Sequence, residues 1–422
     1  MPAYNAFYGQ SGGVTPVINA SAAGVIQTAA RHSEHINKVF AGQDGIIGAL
    51  TENLVDTSLE DPRDIEALIY TPSGAFGSCR YKLKSIAEHR KQYERLIEVF
   101  AAHDIRYFFY NGGGDSQDTA FKVSQISQEL DYPISCVGVP KTIDNDLPFT
   151  DCSPGFGSVA KYVAVSILEA SMDVASMSSS STKVFVMEVM GRHAGWIAAA
   201  AGLAADKRDL GPDVILFPEI DFDQQAFLAK VDEIVNRKGF CCVVVSEGVK
   251  YPDGRFLADS GIKDAFGHAQ LGGVAPVVTN LIKQELALKC HWAVCDYLQR
   301  AARHIGSKTD MQHAYALGKA AVEFAVAGEN AIMPTIVRLQ NDPYRWEIGK
   351  ADLAKVANVE EMMPKKYISD DGFFITEQCR EYLSPLIQGE DYPPYENGLP
   401  SYVKLQLNKV AKKLPAISGF EL

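Results

Sequence analysis

Short apolar runs along the chain alternate with longer stretches whose apolar residues recur every three to four positions. Residues 3–8 precede such a stretch at 14–30, and residues 105–110 precede another at 120–130. Further apolar runs stand at 134–139, 183–190, 213–217, 240–246 and 335–339, each followed or preceded by enough chain for a crossover helix. Strands buried on both faces read as continuous apolar runs, and the helices that return between them read with a period near 3.6. The pattern therefore predicts an α/β fold with parallel sheets. About three hundred residues of this alternation exceed what one sheet usually carries, so two doubly wound lobes facing a cleft are expected, with the cleft as the site.

The boundaries that follow are 1–158 plus about 300–350 for one lobe, and 159–299 plus 351–422 for the other. From residue 351 the alternation weakens. The stretch Tyr392-Pro393-Pro394-Tyr395-Glu396-Asn397-Gly398-Leu399-Pro400 is rich in turn formers, and a basic segment at 404–413 reads as helix. Together they predict a C-terminal extension packed on the second lobe.

Composition narrows the class. The 422 residues are 47% hydrophobic and 22% charged, which excludes disorder and collagen-like repeats. Against 52 Asp+Glu stand 40 Lys+Arg, a formal charge of −12 that disfavours nucleic acid as partner. An anionic ligand would need a focused basic site. Eight cysteines are scattered without CxxC spacing, as in a reduced, cytoplasmic protein. The opening MPAYNAFYGQSGG has no basic stretch followed by an apolar core, and no run approaches the ~18 apolar residues of a membrane span, so neither secretion nor membrane insertion is expected.

Three glycine-rich segments sit where a strand should hand over to a helix: Gln10-Ser11-Gly12-Gly13, Asn111-Gly112-Gly113-Gly114-Asp115-Ser116 and Met190-Gly191-Arg192-His193-Ala194-Gly195-Trp196. Glycine lets backbone N–H groups approach phosphate oxygens, and a helix N-terminus beyond adds unpaired donors and a favourable dipole. A tight turn explains any one of these loops; three in one chain favour phosphate. None matches GxxxxGK[ST], and the GxGxxG spacing after the first strand is absent, which argues against P-loop and dinucleotide chemistry. The string Pro140-Lys141-Thr142-Ile143-Asp144-Asn145-Asp146 follows a predicted strand end and supplies candidates for a base, a cation and phosphate donors, the components of phosphoryl transfer to an alcohol; by residue type alone a polar surface loop explains it equally well.

In their order, Gly12-Gly13, Gly77-Ser78-Cys79-Arg80, GGGDS, PKTIDND, MGRHAGW and Ser246-Glu247-Gly248 resemble the 6-phosphofructokinases over roughly the first three hundred and thirty residues. Within that family the chain is similar to the pyrophosphate-dependent branch. The resemblance implies a phosphofructokinase-like fold whose first lobe binds pyrophosphate and whose second binds the sugar phosphate. It also implies reversible transfer from pyrophosphate to the C1 hydroxyl of fructose 6-phosphate. Asp144 would be the base, Thr142 and Ile143 would lie against the substrates, and Asp146 would support Mg²⁺ or the transition state.

Donor choice would rest on Asp115 and Lys141, which occupy two positions that are glycine in ATP-using members. A carboxylate at the first repels an α-phosphate, and an ammonium at the second stabilises a short donor. The family's metal-binding Asp falls on Gly114, so Asp115 becomes the metal candidate together with Asp146.

Gly13 and Arg80 would meet the donor, and Met190, Gly191, Arg192 and Glu247 the sugar phosphate. Tyr297 and Arg300, in a string ending QR, would reach its 6-phosphate, with His268 as a competing placement. Lys183 falls where the family places an arginine that crosses a subunit interface, implying a homodimer or higher homo-oligomer. His193 and Trp196 are expected to pack or cap. An ATP-dependent kinase and a noncatalytic regulatory subunit of the same fold stand as alternatives.

Overall fold

A computed structural model describes residues 3–205, 209–258 and 273–416. Its principal strands in chain order are β1 Tyr4–Gln10, β2 Ile36–Gly42, β3 Leu54–Asp56, β4 Ile105–Gly112, β5 Ser135–Pro140, β6 Val184–Val189, β7 Val214–Leu216, β8 Cys241–Ser246, β9 Cys290–Val294, β10 Ile332–Gln340 and β11 Arg345–Asp352. They form a seven-stranded sheet ordered β11-β10-β5-β4-β1-β2-β3 and a four-stranded sheet ordered β7-β8-β6-β9. Every run expected from the apolar pattern is a strand. The second sheet is wholly parallel, but the first closes with antiparallel edges, β3 on β2 and β11 on β10. The strands without a continuous apolar run are edges or carry polar positions: β9 is largely exposed, and β11 alternates.

Strand order reverses between β1 and β4, so the loops after these two strands open a crevice at the carboxyl edge of the sheet. Helix Ile18–Arg31, which follows β1, lies against helix Lys308–Val326 with the backbones nearly touching. A β-carbon on Gly24 would stand 2.3 Å from the Tyr315 carbonyl oxygen, and one on Gly318 2.2 Å from that of Ser21. The 22-residue helix Phe156–Met177 begins directly after the PKTIDND loop. Its N-terminus is capped by Asp310, whose carboxylate accepts from the N–H groups of Gly155 and Ser158, each at 2.9 Å. One apolar cluster runs through both lobes, joining Ile336 of β10 to Val189 of β6, Val244 of β8 and the first half of that long helix.

The C-terminal extension differs from the expectation. Residues 365–387 do pack on the second lobe, through Ile368, Ile375, Cys379, Leu383 and Leu386. The basic segment 404–413 is extended rather than helical and lies on the first lobe. There Lys409 bridges Val55 of β3, Glu60 accepts from the N–H groups of Gln406 and Leu407, and Glu52 accepts from those of Lys413 and Leu414. Buried carboxylates and backbone groups on the sheet edge thus outweigh the helix propensity of a lysine-rich segment. All eight cysteines are buried and unpaired. Among the described residues no helix is long and apolar enough to cross a membrane. His268 lies outside the described residues.

Candidate active site

Six strands deliver the candidate residues from their carboxyl ends. β1 ends at Gly12-Gly13, β4 at Gly113–Ser116, β5 at Lys141–Asp146, β6 at Met190–Arg192, β8 at Glu247 and β9 at Tyr297–Arg300. Within each sheet this common direction follows from the parallel pairing, which brings every crossover out at the same edge.

A basic cluster surrounds Gly13. The Lys141 ammonium donates to the Gly13 carbonyl at 2.6 Å. Nη1 of Arg300 lies 2.9 Å from where a β-carbon on Gly13 would stand, and Nη2 of Arg80 lies 3.7 Å from the same point. The guanidinium of Arg300 also stacks over the Tyr297 ring at 3.7 Å, so an arginine from the second lobe is held across the cleft against the first. Arg80 is brought there by a bridge between Ser11 and Cys79 and by the Gly12 N–H, which donates to the Cys79 carbonyl at 3.0 Å. Burial lowers the Lys141 pKa to about 8; Asp144 opposes this, while Arg300 and Arg80 add to it. Three cations this close are an anion site in waiting.

An acidic cluster faces it. Asp144 is half-buried, its backbone N–H donating to the Thr142 hydroxyl at 3.1 Å and its carboxylate accepting from that hydroxyl at 3.3 Å. Burial raises its pKa, partly offset by Lys141, by Thr142 and by Arg192. Burial, then Asp144 and Glu360, pushes Asp146 up to about 7. Burial, then Asp144, likewise pushes Glu247 up to about 7 against the pull of Arg192. Between the two aspartates Asn145 turns the backbone, donating to Tyr382 Oη and accepting from the Ser153 N–H, both at 2.9 Å.

The β6 loop is tied to its neighbours. The Gly191 N–H donates to Glu247 at 3.4 Å, the Met190 N–H donates to Gln299 at 3.4 Å, and the Ser246 hydroxyl donates to the Gly191 carbonyl at 2.5 Å. Ile143, by contrast, turns its side chain into the core, leaving only its backbone for a substrate. Lys183 is not brought to this cleft. It precedes β6, its ammonium donates to the Ser178 carbonyl, and the strand puts it about 20 Å from Met190. Trp196 packs against Phe156, Tyr367 and Tyr382, as expected.

Two residues were not anticipated. Lys82 pairs with Asp115 at 2.5 Å. It stands two positions after Arg80, the spacing that returns a side chain to the same side of an extended segment, which was the available signal. Glu360 accepts from or shares a proton with His193 Nδ1 at 2.7 Å and lies near both Asp144 and Asp146. It belongs to a polar linker that carries no motif. Among the described residues no three His, Cys, Asp or Glu side chains gather as a metal-binding group.

The phosphofructokinase family model matches residues 5–325, which include the basic cluster, both aspartates of the β5 loop and the β6 loop. The chain belongs to the phosphofructokinase family. It is 64% identical over 415 residues, 98% of its length and 99% of the relative's, to a protein of Halomonas elongata called pyrophosphate–fructose 6-phosphate 1-phosphotransferase. A protein of Methylococcus capsulatus with the same name is 65% identical over 416 residues, covering 99% of each chain. The crystal structure of a pyrophosphate-dependent phosphofructokinase from Nitrosospira multiformis superposes with a TM-score of 0.92 at 64% identity, covering 98% of this chain and 100% of that one. The Pichia pastoris phosphofructokinase, at 21% identity and a TM-score of 0.66, shares the fold.

Proposed function

We propose that this phosphofructokinase reversibly transfers a phosphoryl group from pyrophosphate to the C1 hydroxyl of fructose 6-phosphate, yielding fructose 1,6-bisphosphate and phosphate. The observation that carries the reading is the meeting of Lys141, Arg80 and Arg300 at Gly13, directly beside Asp144. In the step itself the C1 oxygen bonds to a pyrophosphate phosphorus as the anhydride P–O bond breaks. Asp144 takes the hydroxyl proton, and its raised pKa brings it nearer to a useful base strength. Lys141 stabilises charge on the transferring group, with Arg80 and Arg300 holding the remaining phosphate oxygens. Arg192 and Glu247, on adjacent strand ends of the second sheet, hold the sugar phosphate, Glu247 taking a sugar hydroxyl.

The seven-stranded lobe in this reading holds the donor and the four-stranded lobe the acceptor, with Tyr297 and Arg300 joining the two. Asp115 keeps the space beyond the pyrophosphate closed to an α-phosphate, and Lys82 holds it in place. A Mg²⁺ ion, bound mostly by water and pyrophosphate oxygens, suits the donor set. Asp146 is a carboxylate whose ionisation is opposed by burial and then by like charges, and a β-carbon at Gly114 would meet nothing within 4 Å. Asp146 would hold the ion, with Asp115 reaching it only by leaving Lys82, and the ion would neutralise charge on the phosphates. A homodimer in which Lys183 reaches the partner's site by leaving the Ser178 carbonyl, and a reducing cytoplasmic setting for eight unpaired cysteines, complete the reading.

The test is the initial rate on fructose 6-phosphate with Mg²⁺ and either pyrophosphate or ATP as sole donor. Fructose 1,6-bisphosphate forms with pyrophosphate alone. An equal rate with ATP would refute the roles of Asp115 and Lys141, and no rate with either donor would refute the activity.

A further inference from the structure

The linker that leaves the first lobe after β11 passes the mouth of the cleft on its way to the second lobe. Leu353 and Val356 are buried in the first lobe, and Met363 is buried in the core of the second. Between them the linker touches two loops of the site at consecutive residues. The side chain of Glu360 meets His193 at 2.7 Å, within the Met190–Gly195 loop. The backbone N–H of Glu361 donates to the Asp146 carbonyl at 2.7 Å, within the loop that carries Asp144. A third contact reinforces the first: Glu219 accepts both from the Gly195 N–H at 2.8 Å and from the Met363 N–H at 3.3 Å. The sugar-phosphate loop and the base loop are therefore spaced by one short piece of chain. The charge of Glu360 also opposes ionisation of Asp144 and Asp146.

We propose that Glu360 is a positioning residue: by holding His193 it sets the Met190–Arg192 loop at the distance from Asp144 that fructose 6-phosphate requires. The C-terminal extension thereby completes the acceptor half of the cleft. This rests on the assignment of Arg192 to the sugar phosphate. Glu360 has a side chain about half exposed, 53%, so its replacement does not open the core.

Full-length E360A, H193A, the double variant, E360Q and R192A are compared with the unaltered protein by steady-state rates on fructose 6-phosphate and pyrophosphate, each folded variant being verified by thermal melting. Loss of one charge-assisted hydrogen bond in E360A should raise KM for fructose 6-phosphate roughly three- to ten-fold while KM for pyrophosphate stays within about two-fold. H193A should raise it at least as much, and the double variant should be no worse than H193A, in which the contact with Glu360 is already lost. The amide oxygen of E360Q still accepts from the imidazole N–H, so this variant should recover most of the affinity. An unchanged KM for fructose 6-phosphate in E360A and H193A overturns the proposal. Equal rises in both KM values, or additive effects in the double variant, overturn it too. If R192A also leaves that KM unmoved, the assignment of the loop to the sugar phosphate fails; if R192A raises it and E360A does not, only the role of Glu360 fails.

Discussion

Replacing Lys141 by methionine separates what the ammonium does for chemistry from what its burial does to the fold. Lys141 is 3% exposed, and burial, aided by Arg300 and Arg80, takes its pKa from 10.5 to about 8. A displacement of about 2.5 pH units, at ~1.36 kcal/mol each, means that the charged side chain weakens the folded state by roughly 3 kcal/mol below pH 8. Methionine has similar length without charge; it forgoes the bond to the Gly13 carbonyl, worth about 1 kcal/mol. The Lys141→Met protein should therefore be more stable by about 2 kcal/mol at pH 7. Between about pH 8 and 10.5 the unfolded chain binds the proton that folded Lys141 has released, so the stability of the unaltered protein climbs relative to the variant and the gap closes. Turnover with pyrophosphate should fall by about 10²–10³, the usual loss when a preorganised stabiliser of transition-state charge is removed. Thermal denaturation at pH 7 and at pH 10, with initial rates on both substrates at pH 7, tests both halves. A variant that melts lower at pH 7, or a gap that does not narrow with pH, refutes the burial argument. Unchanged turnover refutes the catalytic one.

Further outcomes can be measured directly. Asp144→Asn should lower kcat by about 10²–10⁴ with KM for fructose 6-phosphate little changed, and an active variant would remove Asp144 as the base. In unaltered protein kcat/KM for pyrophosphate should decline as pH rises through about 8, because Lys141 loses the charge that attracts the donor; a flat profile to pH 9 would count against that role. Gly24→Ala places a β-carbon 2.3 Å from the Tyr315 carbonyl oxygen and should destabilise the protein by about 1–3 kcal/mol in a urea titration. Truncation after Ser401 removes Leu405 from the core and leaves the buried carboxylates of Glu52 and Glu60 without their backbone donors. It should lower the melting temperature and increase light scattering through the uncovered β3 edge, and an unchanged melt would show the tail to be dispensable.

The β1, β4, β5, β6 and β8 strands and the loops after them were legible in the sequence because both of their determinants are local. A strand buried on two faces reads as an apolar run, as β8 does over residues 241–245, and a strand-to-helix turn that admits phosphate calls for glycine. Residue types clustered in the PKTIDND loop offered candidates for a base, a cation and phosphate donors within seven consecutive positions. The edge strands β9 and β11 escaped because exposure on one or both faces allows polar residues that no short run distinguishes from loop. The path of 404–413 escaped for a different reason: its extended form is set by Glu52, Glu60 and the open side of β3, more than three hundred residues earlier in the chain.

Charge coupling within the cleft belongs wholly to the tertiary structure. Nothing in the order of residues brings Arg300 of the second lobe to Gly13 of the first, pairs Lys82 with Asp115, or sets Glu360 beside His193. The pKa values of Lys141, Asp146 and Glu247 arise only when burial strips water from groups distant in sequence and leaves them to one another. Chemistry carried by residue type and short spacing was determined by the sequence alone. Whatever depends on distance through space, from the reach of an arginine across the cleft to the raised pKa of Asp144, was decided by the packing of two lobes and the strap that joins them.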